Sequence, residues 1–173
     1  MPVDYSESAN ALVSDVLKGH KDRNNLAVEV ENGSSVKWEV DYYVEHGSTS
    51  SFKGSSHIHA VDPSGKSVHP TTYEMGLVAE GAGCNIGIIL KSKEKKEKFV
   101  IIVATPTNKE NYSKVHHQTT KESSTKDYWE KADDTKKHFS GNGWASNTKE
   151  DIRIRVLITG ASPASAFIEI SDH

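Results

Sequence analysis

FVIIVATPTNKENYSK, Phe99 to Lys114, holds the reading that decides the fold. Five consecutive apolar residues, Phe99 to Val103, read as a well-buried strand. Pro106 then turns the chain into a polar loop that ends on Tyr112. A buried strand running into a polar loop raises the question of what the loop does.

Outward from this strand the pattern is mostly of period two. Leu26, Val28 and Val30 alternate with polar residues up to Asn32-Gly33, after which VKWEVDYYVE, Val36 to Glu45, continues to Gly47. That pair reads as a hairpin. Further strands are expected around Ser56–Val61, Tyr73–Val78, Asn85–Leu90, Phe99–Ala104, Ile152–Ile158 and Ala166–Ile170. Turn signals such as Asp62-Pro63-Ser64-Gly65 and Gly160-Ala161-Ser162-Pro163 separate most of them. This spacing is that of a β-sandwich.

Helical signals occur twice. Ala9, Leu12, Val13, Val16 and Leu17 form one apolar stripe, with Ser6 as N-cap and Gly19 as the stop, which predicts a helix over about 6–18. A second helix is expected between Thr125 and Lys137, in a highly charged stretch. No internal repeat and no long linker divides the 173 residues, so one domain over 1–173 is expected.

Charge and cysteine content narrow the function classes. With 21 Lys+Arg against 24 Asp+Glu, the formal charge of −3 offers no global field for a polyanion, which argues against nucleic acid. Cys84 is the only cysteine, so no intrachain disulfide can form. The N-terminus MPVDYSESANALVSDVL lacks a basic segment followed by an apolar one, and nowhere do about 18 apolar residues run together. The chain as given is therefore expected to be soluble and without a signal peptide.

The residues that could carry chemistry have simpler readings. His57 and His59 share a face of a strand, and His69 and His116-His117 add imidazoles, but no third ligand stands at a recognisable spacing, so surface histidines and no metal are expected. GAGCNIG, Gly81 to Gly87, superficially resembles a phosphate loop, yet a strand follows it where a helix would be needed. Cys84 then reads as a small buried filler. KSKEKKEK, Lys91 to Lys98, reads as a charged hairpin tip that keeps a sheet edge from pairing, in preference to a weak contact with anionic headgroups. No acid/base pair or Ser-His-Asp arrangement stands out, so neither catalytic residues nor a cofactor are expected.

In order and spacing these pieces resemble the actinoporins, the small pore-forming cytolysins best known from sea anemones. The resemblance rests on NNLAVEVENGSSVKWEVDYYVEHGS (Asn24 to Ser48), GLVAEGAGCNIGIILKS with FVIIVATP, and SGNGWASNTKEDIRIRVLITGASPASAFIEI, and it covers nearly the whole chain from Leu12 onward. It implies a mainly β, single-domain sandwich flanked by two α-helices. It also implies a secreted, soluble monomer that recognises a phosphocholine headgroup, usually sphingomyelin, inserts its N-terminal helix and oligomerises into a pore.

Carried over by position, the implied headgroup site comprises Pro106 and Tyr112, Tyr128 as the first tyrosine of the second helix, and Ile86 in place of a small apolar residue. His46 and Ala104 stand where the family has serines, and Ala132 and Asp133 where it has two tyrosines. Thr107, Lys109 and Asn111 occupy positions that tend to be aromatic, while Trp129 is a neighbouring ring that could substitute or pack. Leu12, Val13, Val16 and Leu17 would enter the membrane. A helix over 6–18 spans about 20 Å against a hydrocarbon core of about 30 Å, so it would lie in the interface or recruit residues 19–24. The second reading is a non-lytic, lectin-like module that binds a glycan or another polar ligand on the same scaffold.

Overall fold

The computed structural model describes residues 24–54, 57–58, 71–79, 83–160 and 164–173. The N-terminal helix with Leu12, Val13, Val16 and Leu17, and also His59 and His69, lie outside the described residues. Twelve strands and one helix follow in chain order: β1 (Asn24–Gly33), β2 (Trp38–His46), β3 (Ser48–Gly54), β4 (His57–Ile58), β5 (Thr71–Ala79), β6 (Gly83–Ser92), β7 (Glu97–Pro106), β8 (Tyr112–Gln118), α1 (Thr125–Asp133), β9 (His138–Phe139), β10 (Ala145–Lys149), β11 (Ile152–Ile158) and β12 (Ala164–Asp172). They form two six-stranded sheets, ordered β10-β11-β12-β1-β5-β3 and β4-β2-β6-β7-β8-β9. The expected mainly β sandwich is therefore the observed fold, with one flanking helix among the described residues.

The run Phe99 to Ala104 is apolar throughout because β7 is buried on both faces. Phe99, Ile101 and Val103 join Trp38, Ile86, Ile88 and Leu90 in the core between the sheets, against Leu26, Val28, Ile154, Val156, Ile168 and Ile170. Val100, Ile102 and Ala104 point the other way and join Ile89 and Tyr112 in a second cluster beneath Tyr128 and Ala132 of α1. Each large aliphatic side chain buried in this way stabilises the fold by about 1.5–3 kcal/mol. Ser124 caps α1 by accepting from the Asp127 amide at 3.2 Å, which fixes where the helix starts over this second cluster.

The hairpin expected at Asn32-Gly33 does not form, because β1 and β2 belong to different sheets. Gly33 stays in register with Ser171 of β12 and lacks the positive φ that a two-residue hairpin turn requires. A buried polar corner replaces the hairpin turn. The Asn32 side chain donates to the Val36 carbonyl at 2.7 Å and accepts from the Ser34 hydroxyl at 2.6 Å, while Trp38 Nε1 donates to Ser34 Oγ at 3.1 Å. These bonds satisfy the inward-facing polar groups of a chain crossing from one sheet to the other at the edge of the sandwich, where Gly33, Ser35 and Lys37 are exposed.

Lys91 to Lys98 does form the β6–β7 hairpin tip, where Lys95 pairs with Asp151 at 2.7 Å. Since β7 is ten residues long, this tip lies about 30 Å from the loop after Pro106.

Candidate functional site

Strand register gathers the sequence-derived site residues at one end of the second sheet. His46, Asn85, Ala104, Tyr112 and Phe139 face one another in turn across β2, β6, β7, β8 and β9. This rung lies on the face that α1 covers, and Pro106 stands one step further out. Ile86 belongs to the opposite face, fully buried between the sheets, so it touches no ligand. Ala104 and Tyr128 are also buried, under and within the helix layer, and they support the site from below. His46 is exposed at the far end of the rung, about 14 Å from Tyr112 by strand spacing, a separation no single phosphocholine group bridges.

Trp129 is a packing residue. Its Nε1 donates to Asn85 Oδ1 at 3.2 Å, and its ring meets Tyr43 at 5.8 Å between centroids. Gly87 makes room for it, since a Cβ there would lie 2.8 Å from Trp129 Cδ1.

The loop after β7 walls an open cleft of about 480 Å³, lined by Pro106, Lys109, Glu110, Tyr112, Lys137 and Phe139. Its backbone is held from three sides. Asn111, which is buried, donates its amide to the Thr159 carbonyl at 2.8 Å, its own carbonyl accepts from Ser140 N at 2.9 Å, and Glu110 Oε1 accepts from Gly141 N at 2.9 Å. Asn111 thus anchors the loop and offers no side chain to a ligand. Asn108, at φ 59°, takes the left-handed conformation that Asn tolerates better than most residues.

Two rings meet in the cleft. Tyr112 and Phe139 are 6.4 Å apart in an edge-to-face arrangement, and Phe139, 39 % exposed, is the one exposed large hydrophobic residue among the described residues. Lysines already occupy the neighbourhood of Tyr112: Lys137 Nζ lies 4.5 Å from the ring centroid and Lys114 Nζ 5.8 Å. Lys114 is itself committed, bonding Asp133 Oδ1 at 2.7 Å and the Asp133 carbonyl at the end of α1. Asp133 therefore holds a buried ammonium. A further cation within about 5 Å of Lys137 would be repelled by roughly 1–3 kcal/mol, between the aqueous and near-surface limits. Burial, and secondarily the Asp133 carboxylate, hold the Tyr112 phenol above its ordinary range. At neutral pH its hydroxyl is a hydrogen-bond donor.

Glu110, Lys137 and Phe139 are not among the residues singled out from sequence, and Lys109 is read there only as standing in place of an aromatic residue. The signal available for Lys137 and Phe139 was the run TKKHF, Thr135 to Phe139, in which cations are followed by an aromatic residue just past a helix.

The other candidate chemistry resolves into packing. Among the described residues no cluster of three His, Cys, Asp or Glu could hold a metal. His57 lies opposite Glu39, His117 bonds Glu97, and His116 bonds Gln118 at 3.0 Å. Cys84 is buried, and burial pushes its thiol up to about 11, with a Thr105 hydrogen bond opposing the shift. Only about one molecule in a thousand then carries the thiolate at pH 8. A thiol-specific chromogenic reagent is expected to leave the native protein unreacted at that pH and to titrate one thiol in urea. Rapid reaction of the native protein would contradict the buried placement.

The molecule is thus a two-sheet sandwich with a helix on one face and a cleft of aromatic and basic residues at its end. No protein-family model matches the sequence, and no curated protein is similar to it. Solved structures share the fold at low identity. The lipid-binding protein Nakanori superposes with a TM-score of 0.69 at 11 % identity, covering 97 % of this chain and 80 % of that one. The lectin XCL of Xerocomus chrysenteron gives 0.51 at 13 % identity over 87 % and 97 % of the respective chains.

Proposed function

We propose that this protein recognises a polar headgroup displayed on a membrane, through the cleft between the β7–β8 loop and the Lys137–Phe139 segment. It acts by binding, without catalysis, as a secreted protein. The observation that carries this reading is the convergence of Tyr112, Phe139, Lys109 and Lys137 on one open cleft whose loop is hydrogen-bonded in place. The likeness to a lipid-binding protein adds support of a general kind.

Pore formation is the finer proposal, and it rests on the N-terminal stripe of Leu12, Val13, Val16 and Leu17. Among the described residues no helix is long and apolar enough to cross a membrane. The inserting element would therefore be the amphipathic segment, acting after the cleft has engaged its ligand and several copies have gathered.

A lectin-like role is the second reading, favoured by a specific observation. Phe139 alone among the described large hydrophobic residues is exposed, so the cleft offers polar contacts in place of the aromatic belt expected of a membrane anchor. The likeness to a lectin adds general support here too.

A panel of dye-loaded vesicles differing in headgroup, run beside a glycan array, separates these readings. Binding with leakage, and loss of leakage but not of binding when residues 1–18 are removed, is expected for the cytolysin. Retention on glycans with no vesicle bound would overturn the membrane reading.

A further inference from the structure

Lys137 is the shared wall of two clefts. Beside the 480 Å³ cleft lies another of about 270 Å³, lined by Lys114, Val115, Lys136, Lys137, His138, Ala145 and Ser146. Across the pair the lining holds four lysines against one carboxylate, Glu110, which leaves a positive excess even with Lys114 paired to Asp133 outside the lining. Asp133 is held by Lys114, and Glu110 accepts from Gly141 N and Ser140 Oγ. Lys109, Lys136 and Lys137 are exposed and pair with no carboxylate among the described residues. A chain with a formal charge of −3 therefore concentrates unneutralised positive charge at one place, around a tyrosine hydroxyl available as a donor.

We infer that this double cleft takes an anionic phosphate-ester headgroup, the phosphate held by Lys136 and Lys137 with Lys109 across the opening, and that a zwitterionic choline group is not its ligand. The inference rests on the reading of the cleft as the ligand site and names the ligand's chemistry. A quaternary ammonium needs an open aromatic face, and the Tyr112 face already carries the Lys137 ammonium. A phosphate meets no such conflict, because each oxygen can accept from an ammonium while the ester chain lies along Phe139. Anionic phosphate could come from a lipid or from a small molecule in solution, and the two sources are separable by experiment.

Two measurements on the full chain test this. In the first, amide resonances are followed while inorganic phosphate and choline chloride are added separately. Phosphate is expected to shift residues 136–141 and 145–146, and choline is expected to leave them unmoved. Choline-induced shifts in this segment with none from phosphate would overturn the inference. In the second, flotation compares vesicles of phosphatidylcholine with vesicles also containing phosphatidic acid. Binding is expected only to the latter, weakening at least tenfold in Lys136→Gln/Lys137→Gln and recovering in Lys136→Arg/Lys137→Arg. The control Lys93→Gln/Lys96→Gln removes the same charge at the hairpin tip, about 30 Å away along β7, and is expected to change binding less than twofold. Equal losses in both glutamine pairs would mean that net charge is felt and no site exists, which overturns the inference. Equal binding to both kinds of vesicle also overturns it, and leaves the membrane reading intact. Phosphate shifts with no vesicle bound would support the anion site and count against the membrane.

Discussion

Ile102→Ala is expected to lower the unfolding free energy by about 2–4 kcal/mol, as much as Ile101→Ala does, although the two side chains point in opposite directions. Ile101 fills the core between the sheets, and Ile102 fills the cluster under α1 with Val100, Ala104, Tyr128 and Ala132. Both are fully buried. In a sandwich whose outer face meets water, the outward isoleucine would cost little to truncate. Equilibrium urea unfolding checks this: the midpoint should fall for both variants while the slope stays unchanged. A loss below about 1 kcal/mol for Ile102→Ala would mean that α1 does not pack firmly on the sheet.

Gly83→Ala carries the other large effect, and it reaches the cleft. Gly83 has φ of 85° and faces Pro106 across the β6–β7 pair. A Cβ at this position would lie 1.8 Å from the Thr105 carbonyl oxygen, so the backbone itself would have to move. The unfavourable φ costs roughly 1–3 kcal/mol and the forced shift about as much again, for a total of about 2–6 kcal/mol. Thermal unfolding should show a large drop, and ligand binding should weaken because Pro106, on the rim of the cleft, is displaced with its strand. By contrast, Gly143 has open space around it but combines φ of 72° with ψ of −140°, outside the left-handed helical well that Asn tolerates, so Gly143→Ala should cost only the backbone strain of about 1–3 kcal/mol, with no clash added. Similar stability in Gly83→Ala and the wild type would contradict the close approach of β6 to β7.

The contrast between these residues shows what could be read in the sequence. Phe99 to Val103 announced a buried strand because five apolar side chains in a row need two apolar environments, and the sandwich and the helix supply one each. Ile152–Ile158 has the expected bounds, and α1 begins at Thr125 as expected but ends at Asp133, short of Lys137. Four strands, β3, β8, β9 and β10, went unseen, for physical reasons, and β9 is only two residues long. β8, Tyr112–Gln118, contains Lys114, His116 and His117, and its lysine is buried only because Asp133 meets it. β3 and β10 are polar strands at the two ends of their sheet, where pairing on one side suffices. Asn32-Gly33 carried a hairpin signal that tertiary structure overrode, because Ser34 and Trp38 gave the Asn32 side chain buried partners.

Ala104, Pro106, Tyr112 and His46 were named only by the resemblance in position, and strand register sets His46, Ala104 and Tyr112 along one rung with Pro106 one step further out. Strand parity removes Ile86, which a resemblance by position had included. Lys137 and Phe139 were hidden because they approach from a segment more than 20 residues downstream, Phe139 in the two-residue strand β9 and Lys137 just before it. Thr107, Lys109 and Asn111, read as lost aromatic residues, turn out to have other work: Asn111 anchors the loop, and Lys109 lines the cleft.

On the proposed function, the protein meets its ligand in the cleft around Tyr112 and Lys137. Hydrogen–deuterium exchange of the full chain, with and without vesicles of phosphatidylcholine and phosphatidic acid, tests it most directly. The account predicts new protection in peptides covering 107–112 and 136–146. Protection confined to the hairpin tip at 91–98, with the cleft peptides unchanged, would contradict it.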